Sequence, residues 1–127
     1  MSEKQYKILL VEDDEALSQV YGDRLKLEGF DVLHVSNGED ALAAAKDYKP
    51  DLVLLDAMMP KITGFDVLDI LRNTPETAHA RVIMLTALSQ AKDKERAEAL
   101  GVDEYLVKSQ VVISDVVERI KHHLGIQ

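Results

Sequence analysis

The chain has 127 residues, 46% hydrophobic and 30% charged, with a formal net charge of −8 and no cysteine, so a single domain over residues 1–127 with one core is expected and a disordered chain is excluded. Lack of cysteine rules out disulfides and thiolate metal sites, and no apolar run approaches the roughly 20 residues of a membrane span. The polar start MSEKQYK has no signal-peptide core, which makes the cytoplasm the expected location, and the acidity argues against direct nucleic-acid binding and for a cation or basic partner.

The first apolar run, KILLV (Lys7–Val11), reads as a strand and drives straight into four acids, Glu12, Asp13, Asp14 and Glu15. A helix follows and stops at Gly29. The second strand is DVLHV (Asp31–Val35), and SNGED opens the second helix with Ser36 or Asn37 as its cap. Pro50 separates that helix from the third strand, DLVLL (Asp51–Leu55), which delivers Asp56 at its tip. RVIML (Arg81–Leu85) is the fourth strand and runs into Thr86 and Ala87. The fourth helix carries KDKERAE (Lys92–Glu98) as a solvated face and closes at Gly101. EYLV (Glu104–Val107) is the fifth strand, ending at Lys108. The last helix shows a stripe of Ile113, Val116, Val117, Ile120 and Leu124, capped by Ser114 or the loop before it.

These runs read as strands mostly buried on both faces. Strands alternating with helices, joined by short connections, predict an α/β fold: a doubly wound, five-stranded parallel sheet with right-handed crossovers and helices on both faces. Ligands of such sheets sit beyond the carboxyl ends of the strands, where strand order reverses. Glu12, Asp13, Asp56, Thr86 and Lys108 all arrive there. Converging carboxylates disfavour one another unless a proton or a cation joins them. Oxygen donors without His or Cys suit a hard ion such as Mg²⁺, which keeps waters and bridges to a phosphate. Lys108 and the Thr86 hydroxyl are then placed for an anion, and Asp56 is the best nucleophile, able to form an acyl phosphate. Each residue alone also has a plainer reading, as an acidic first turn, a turn residue, a cap or a solvated charge; their joint arrival on one edge favours the site.

ILLVEDD, DLVLLDAMMPKITGFDVL, VIMLTA and DEYLVK together resemble the response-regulator receiver domain of two-component signalling, from Lys7 to about Leu124. The resemblance implies a flavodoxin-like strand order 2-1-3-4-5. It implies Asp56 as the phosphoacceptor for a phosphohistidine on a sensor histidine kinase or phosphotransfer protein. It implies a Mg²⁺ site made of Asp13, Asp56, the Met58 backbone carbonyl and, through water, Glu12, with Asp14 left as a cap or surface residue. Thr86 and Lys108 would contact the phosphoryl group, and Ala87 would stay small beside it. Met58 and Leu88 occupy positions that tune the lifetime of the phosphoryl group, and both are apolar. Pro60 and Gly64 match the loop after the phosphoacceptor, where Gly lets the chain turn into the third helix. Thr86 and Tyr105 match the switch pair, in which Thr86 moves inward and Tyr105 turns in behind it. That motion would change the face of helix four, strand five and helix five toward an effector, in a monomer or a phosphorylation-dependent dimer.

Relatives usually carry Pro after the lysine, whereas Ser109 stands here, so a trans bond is expected at Lys108–Ser109. His34, His79, His122 and His123 carry no site in this reading: His34 is a packed or edge imidazole, and His122 and His123 point to different faces of one helix. A Mg²⁺-dependent aspartate-nucleophile phosphatase would need a second Asp at position 58, which is Met. A flavodoxin-like cofactor binder would need a phosphate-cradling loop where Glu12 and Asp13 stand. A degenerate receiver, acting only by contact, would not need the full site. No turnover of an external substrate is expected. The chain stops at HHLGIQ, directly after the last helix, which fits a stand-alone receiver or a piece of a longer regulator.

Overall fold

The computed structural model describes residues 4–126. Five strands, β1 (Lys7–Val11), β2 (Asp31–Val35), β3 (Leu52–Leu55), β4 (Arg81–Thr86) and β5 (Glu104–Val107), alternate with five helices. These are α1 (Glu15–Leu27), α2 (Gly38–Asp47), α3 (Gly64–Arg72), α4 (Ala91–Ala99) and α5 (Ile113–Leu124). All strand pairs are parallel, as the alternating pattern predicts, and the order is β2-β1-β3-β4-β5, as the resemblance implies.

Side chains alternate along each strand, so each strand feeds two cores. Leu9, Val11, Val53, Leu55 and Met84 go to one face and meet Ala41, Phe65, Leu68 and Ala97 of α2, α3 and α4. Ile8, Leu10, Leu52, Leu54, Ile83 and Leu85 go to the other and meet Leu25, Val116 and Ile120 of α1 and α5. Burial on both faces holds for β1, β3 and β4. It fails for β2, where Asp31 and His34 are exposed, and for β5, where only Tyr105 is buried; both are edge strands.

Strand β3 begins one residue later than predicted. Asp51 brackets its start: its carboxylate accepts from the Lys7 backbone N–H and from Lys4 Nζ, both at 2.8 Å, and its own N–H donates to the Lys7 carbonyl. Asp14 caps α1 by accepting from the Leu17 N–H at 3.0 Å, and Asn37 caps α2 from the Asp40 N–H at 2.8 Å. Ser114 does not cap α5, because it lies inside the helix. The loop residue Val112 holds that position, and its N–H donates to Asp115 Oδ2 at 2.9 Å. The Lys108–Ser109 bond is trans, and the chain makes a short 3₁₀ turn, Lys108–Gln110, before α5. Among the described residues no helix is long and apolar enough to cross a membrane.

Candidate functional site

The ladders of β1 run one residue past the strand. Glu12 N–H donates to the Val35 carbonyl and Asp56 N–H to the Val11 carbonyl, both at 3.1 Å. Glu12 and Asp56 are thereby set side by side where the chain order of the sheet reverses about β1, the crevice in which open sheets bind ligands. Both are nearly buried, 5% and 6% exposed, while Asp13 stays open to solvent. One carboxylate oxygen from each of Glu12, Asp13 and Asp56 lies within 4.8 Å of the other two.

Lys108, at the end of β5, reaches across this cluster. Its Nζ donates to Glu12 Oε1 at 2.7 Å and to Asp56 Oδ2 at 3.0 Å. The sequence predicts an anion as the partner of this ammonium; here it is shared by two carboxylates, because its long stem spans the edge and burial of both acids makes an opposite charge the favoured neighbour. Burial alone would push the lysine pKa down. The hydrogen bonds to Glu12 and Asp56 and their negative charge outweigh it and hold the ammonium above the ordinary lysine value. For Glu12 the balance falls the other way: burial raises its pKa more than Lys108 and the Asp14 N–H lower it, and the Asp56 charge adds to the rise. Three carboxylates against one ammonium leave the site negative, with oxygen donors only. That donor set fits a hard divalent cation.

Asp56 Oδ1 accepts the Met58 N–H at 3.0 Å, which fixes the carboxylate plane. The loop beyond is held tightly to the strand, with Gly64 N–H donating to the Ala57 carbonyl at 2.9 Å. A Cβ on Gly64 would lie 2.2 Å from the Asp56 carbonyl oxygen and 2.7 Å from Ala57 Cα. Close approach of backbone to backbone demands glycine here; φ at Gly64 is not in the left-handed region, so freedom to turn is not the reason.

Thr86 is fully buried at the end of β4, and its hydroxyl oxygen accepts the Leu88 N–H at 3.3 Å. Tyr105 is 9% exposed, and its hydroxyl donates to the Leu88 carbonyl at 2.9 Å. The resemblance implies an inward Tyr105 only in the phosphorylated form, whereas the buried, Leu88-bonded position is already occupied here. Leu88 thus touches both members of the expected switch pair through its backbone. Ala87 is exposed, Leu88 is half-buried and Met58 is 54% exposed. Met58 and Leu88 share a groove of about 480 Å³ with Met59, Phe65 and Arg96, whose guanidinium stands 4.2 Å from the centre of the Phe65 ring.

Two contributors escaped the sequence reading. Tyr21 of α1 lines the floor under Glu12 and Asp56, and its pKa is raised, chiefly by burial. His34, taken there as an edge imidazole, bonds the Glu12 backbone carbonyl at 2.8 Å. The register sets His34 opposite Leu10, and the hydrogen bond shows the ring reaching two residues further to the strand end. His122 and His123 are not on separate faces as the sequence predicts: their rings meet edge to face with centres 5.2 Å apart, and His123 bonds Glu104.

Fold and edge together define a doubly wound domain with a carboxylate cluster and a lysine at its switch point. The chain belongs to the response regulator receiver domain family, whose profile matches residues 8–121. It is 31% identical over 118 residues to the polar-differentiation response regulator DivK of Brucella anthropi, covering 93% of this chain and 95% of that one. It is 41% identical over 102 residues to the DNA-binding dual master transcriptional regulator RpaA of Synechocystis, covering 80% of this chain but 42% of RpaA. The chain thus spans under half the length of several curated relatives that it matches. Among solved structures, the BeF3-activated N-terminal receiver domain of Klebsiella pneumoniae RstA superposes with a TM-score of 0.86 at 28% identity, covering 93% of this chain and 97% of that one. The chain is therefore a receiver domain of the two-component response regulators.

Proposed function

We propose that Asp56 accepts a phosphoryl group from the phosphohistidine of a sensor histidine kinase or phosphotransfer protein, and that these 127 residues act as one signalling domain. The observation that carries this reading is the trio Glu12, Asp13 and Asp56, with one oxygen of each within 4.8 Å of the others and with Lys108 bonded to Glu12 and Asp56. An Asp56 oxygen forms the new O–P bond as the donor's N–P bond breaks, and the electron pair returns to the imidazole. Mg²⁺ would be held by Asp13, Asp56 and the Met58 carbonyl, with Glu12 acting through water, and would neutralise charge on the phosphoryl oxygens. Lys108 exchanges a carboxylate for a phosphoryl oxygen, and the Thr86 hydroxyl donates to another.

Once that hydroxyl is drawn to the phosphoryl group, it no longer accepts from the Leu88 N–H, and the Leu88 carbonyl bound by Tyr105 shifts with it. The face of α4, β5 and α5 then changes for an effector, in a monomer or a phosphorylation-dependent dimer. Relatives that are transcriptional regulators by name support an output in gene expression. The acidity of this domain favours protein contact over direct contact with nucleic acid. It is a phosphoacceptor in the cytoplasm rather than an enzyme with an external substrate, and Met58 stands where an aspartate-nucleophile phosphatase would carry its general acid.

Replacing Asp56 by Asn tests the assignment. Incubated with a small phosphodonor and Mg²⁺, the wild-type chain becomes labelled and Asp56→Asn does not. Persistent stoichiometric labelling of the variant would remove Asp56 from this role.

A further inference from the structure

Glu12 is held at four atoms. Its N–H donates to the Val35 carbonyl at 3.1 Å, Oε1 accepts from Lys108 at 2.7 Å, and Oε2 accepts the Asp14 N–H at 3.1 Å. The fourth is its backbone carbonyl, which meets His34 Nε2 at 2.8 Å. A carbonyl only accepts, so Nε2 carries the proton and the neutral ring is the Nε2–H tautomer.

That carbonyl lies beyond Val11–Val35, the last pair in the β1–β2 register, and no strand backbone reaches it. It is also the oxygen of the peptide joining Glu12 to Asp13. Fixing it fixes ψ of Glu12 and φ of Asp13, and with them the directions in which both carboxylates leave the chain. His34 is exposed on an edge strand, where water would satisfy the carbonyl equally well but would not orient it.

We propose that His34 is a positioning residue for the Glu12–Asp13 pair: by pinning the Glu12–Asp13 peptide it presets the two carboxylates for a divalent cation. This rests on the reading that the pair holds Mg²⁺. It assigns to β2, which contributes no ligand, a share in cation affinity.

The test is a calorimetric Mg²⁺ titration, at one fixed pH, of the wild-type chain, His34→Gln and His34→Phe, with the thermal midpoint of each metal-free protein measured alongside. Gln keeps an N–H at similar reach and Phe keeps the ring without a donor. His34→Phe is expected to bind Mg²⁺ about tenfold more weakly, with a thermal midpoint close to wild type, and His34→Gln to recover most of the affinity. Equal affinity in all three proteins overturns the inference while leaving the metal site intact; so does equal weakening in both variants, since the donor would then not matter. A wild-type chain that takes up no Mg²⁺ overturns the inference together with the reading beneath it. Should His34→Phe fail to fold, the ring nitrogens of wild-type His34, read by long-range proton–nitrogen NMR, decide: a proton on Nε2 supports the inference and the Nδ1–H tautomer overturns it.

Discussion

Gly64 shows how a residue that carries no chemistry controls one that does. Any side chain there drives into the Asp56 carbonyl and the Ala57 backbone, and neither can swing aside as a flexible side chain would. Gly64→Ala is expected to lower stability by about 2–4 kcal/mol and to slow labelling of Asp56, because the loop that gives the Met58 N–H to Asp56 must shift; urea unfolding and labelling rate check both. Met58 and Leu88 line one groove, and as apolar side chains they are expected to keep water from a phosphoryl group on Asp56. Opening it with Met58→Asn and Leu88→Glu together should speed loss of the phosphoryl group about tenfold, a change of about 1.4 kcal/mol in the barrier, followed by decay of the label after removing the donor. Hydrolysis at the wild-type rate would show that the two side chains shield nothing. At this scale Glu12, Asp13, Asp56 and Lys108 were legible, because each terminates an apolar run and strand ends share an edge. The pair of hydrogen bonds from Lys108 to Glu12 and Asp56 was not, since it depends on side-chain reach and burial that spacing does not encode.

Between elements, β5 and α5 are joined by Glu104, whose carboxylate accepts Arg119 Nε at 2.9 Å and bonds His123. Burial would raise the Glu104 pKa, but the hydrogen bonds from Arg119 and His123 outweigh it and hold the carboxyl below the ordinary value of 4.5. A carboxyl depressed in the folded state stabilises the fold above its unfolded pKa and loses that contribution as pH falls through the folded pKa. The thermal midpoint of wild type should therefore exceed that of Glu104→Gln near about pH 6, and the gap should close toward about pH 3; a gap constant over that range would contradict the assignment. The limits of the elements were mostly readable from capping residues and apolar runs. At α5 the loop rather than Ser114 holds the cap position, because the Asp115 carboxylate, three residues on, accepts the Val112 N–H. The start of β3 was hidden by partners far away in sequence: Asp51 leaves the strand because it binds Lys7 and Lys4. The inward Tyr105 likewise depends on the Leu88 carbonyl, 17 residues away.

At the scale of the whole molecule, five parallel strands in the order 2-1-3-4-5 bring residues 12, 56, 86 and 108 to one edge from four separate parts of the chain. Alternating strand and helix patterns predict the parallel sheet, while the strand order came from resemblance to relatives, because periodicity alone does not say which strands are neighbours. We propose that this edge turns one buried aspartate into a Mg²⁺-dependent phosphoacceptor. Borohydride reduces an acyl phosphate and leaves homoserine in place of the aspartate, so peptide mapping after exposure to a small phosphodonor reads the site directly. Homoserine at position 56 alone, formed with Mg²⁺ and absent when the metal is chelated, is the predicted result. Modification at another carboxylate, or modification of Asp56 that is equally efficient without the metal, would remove Asp56 or the metal from this role.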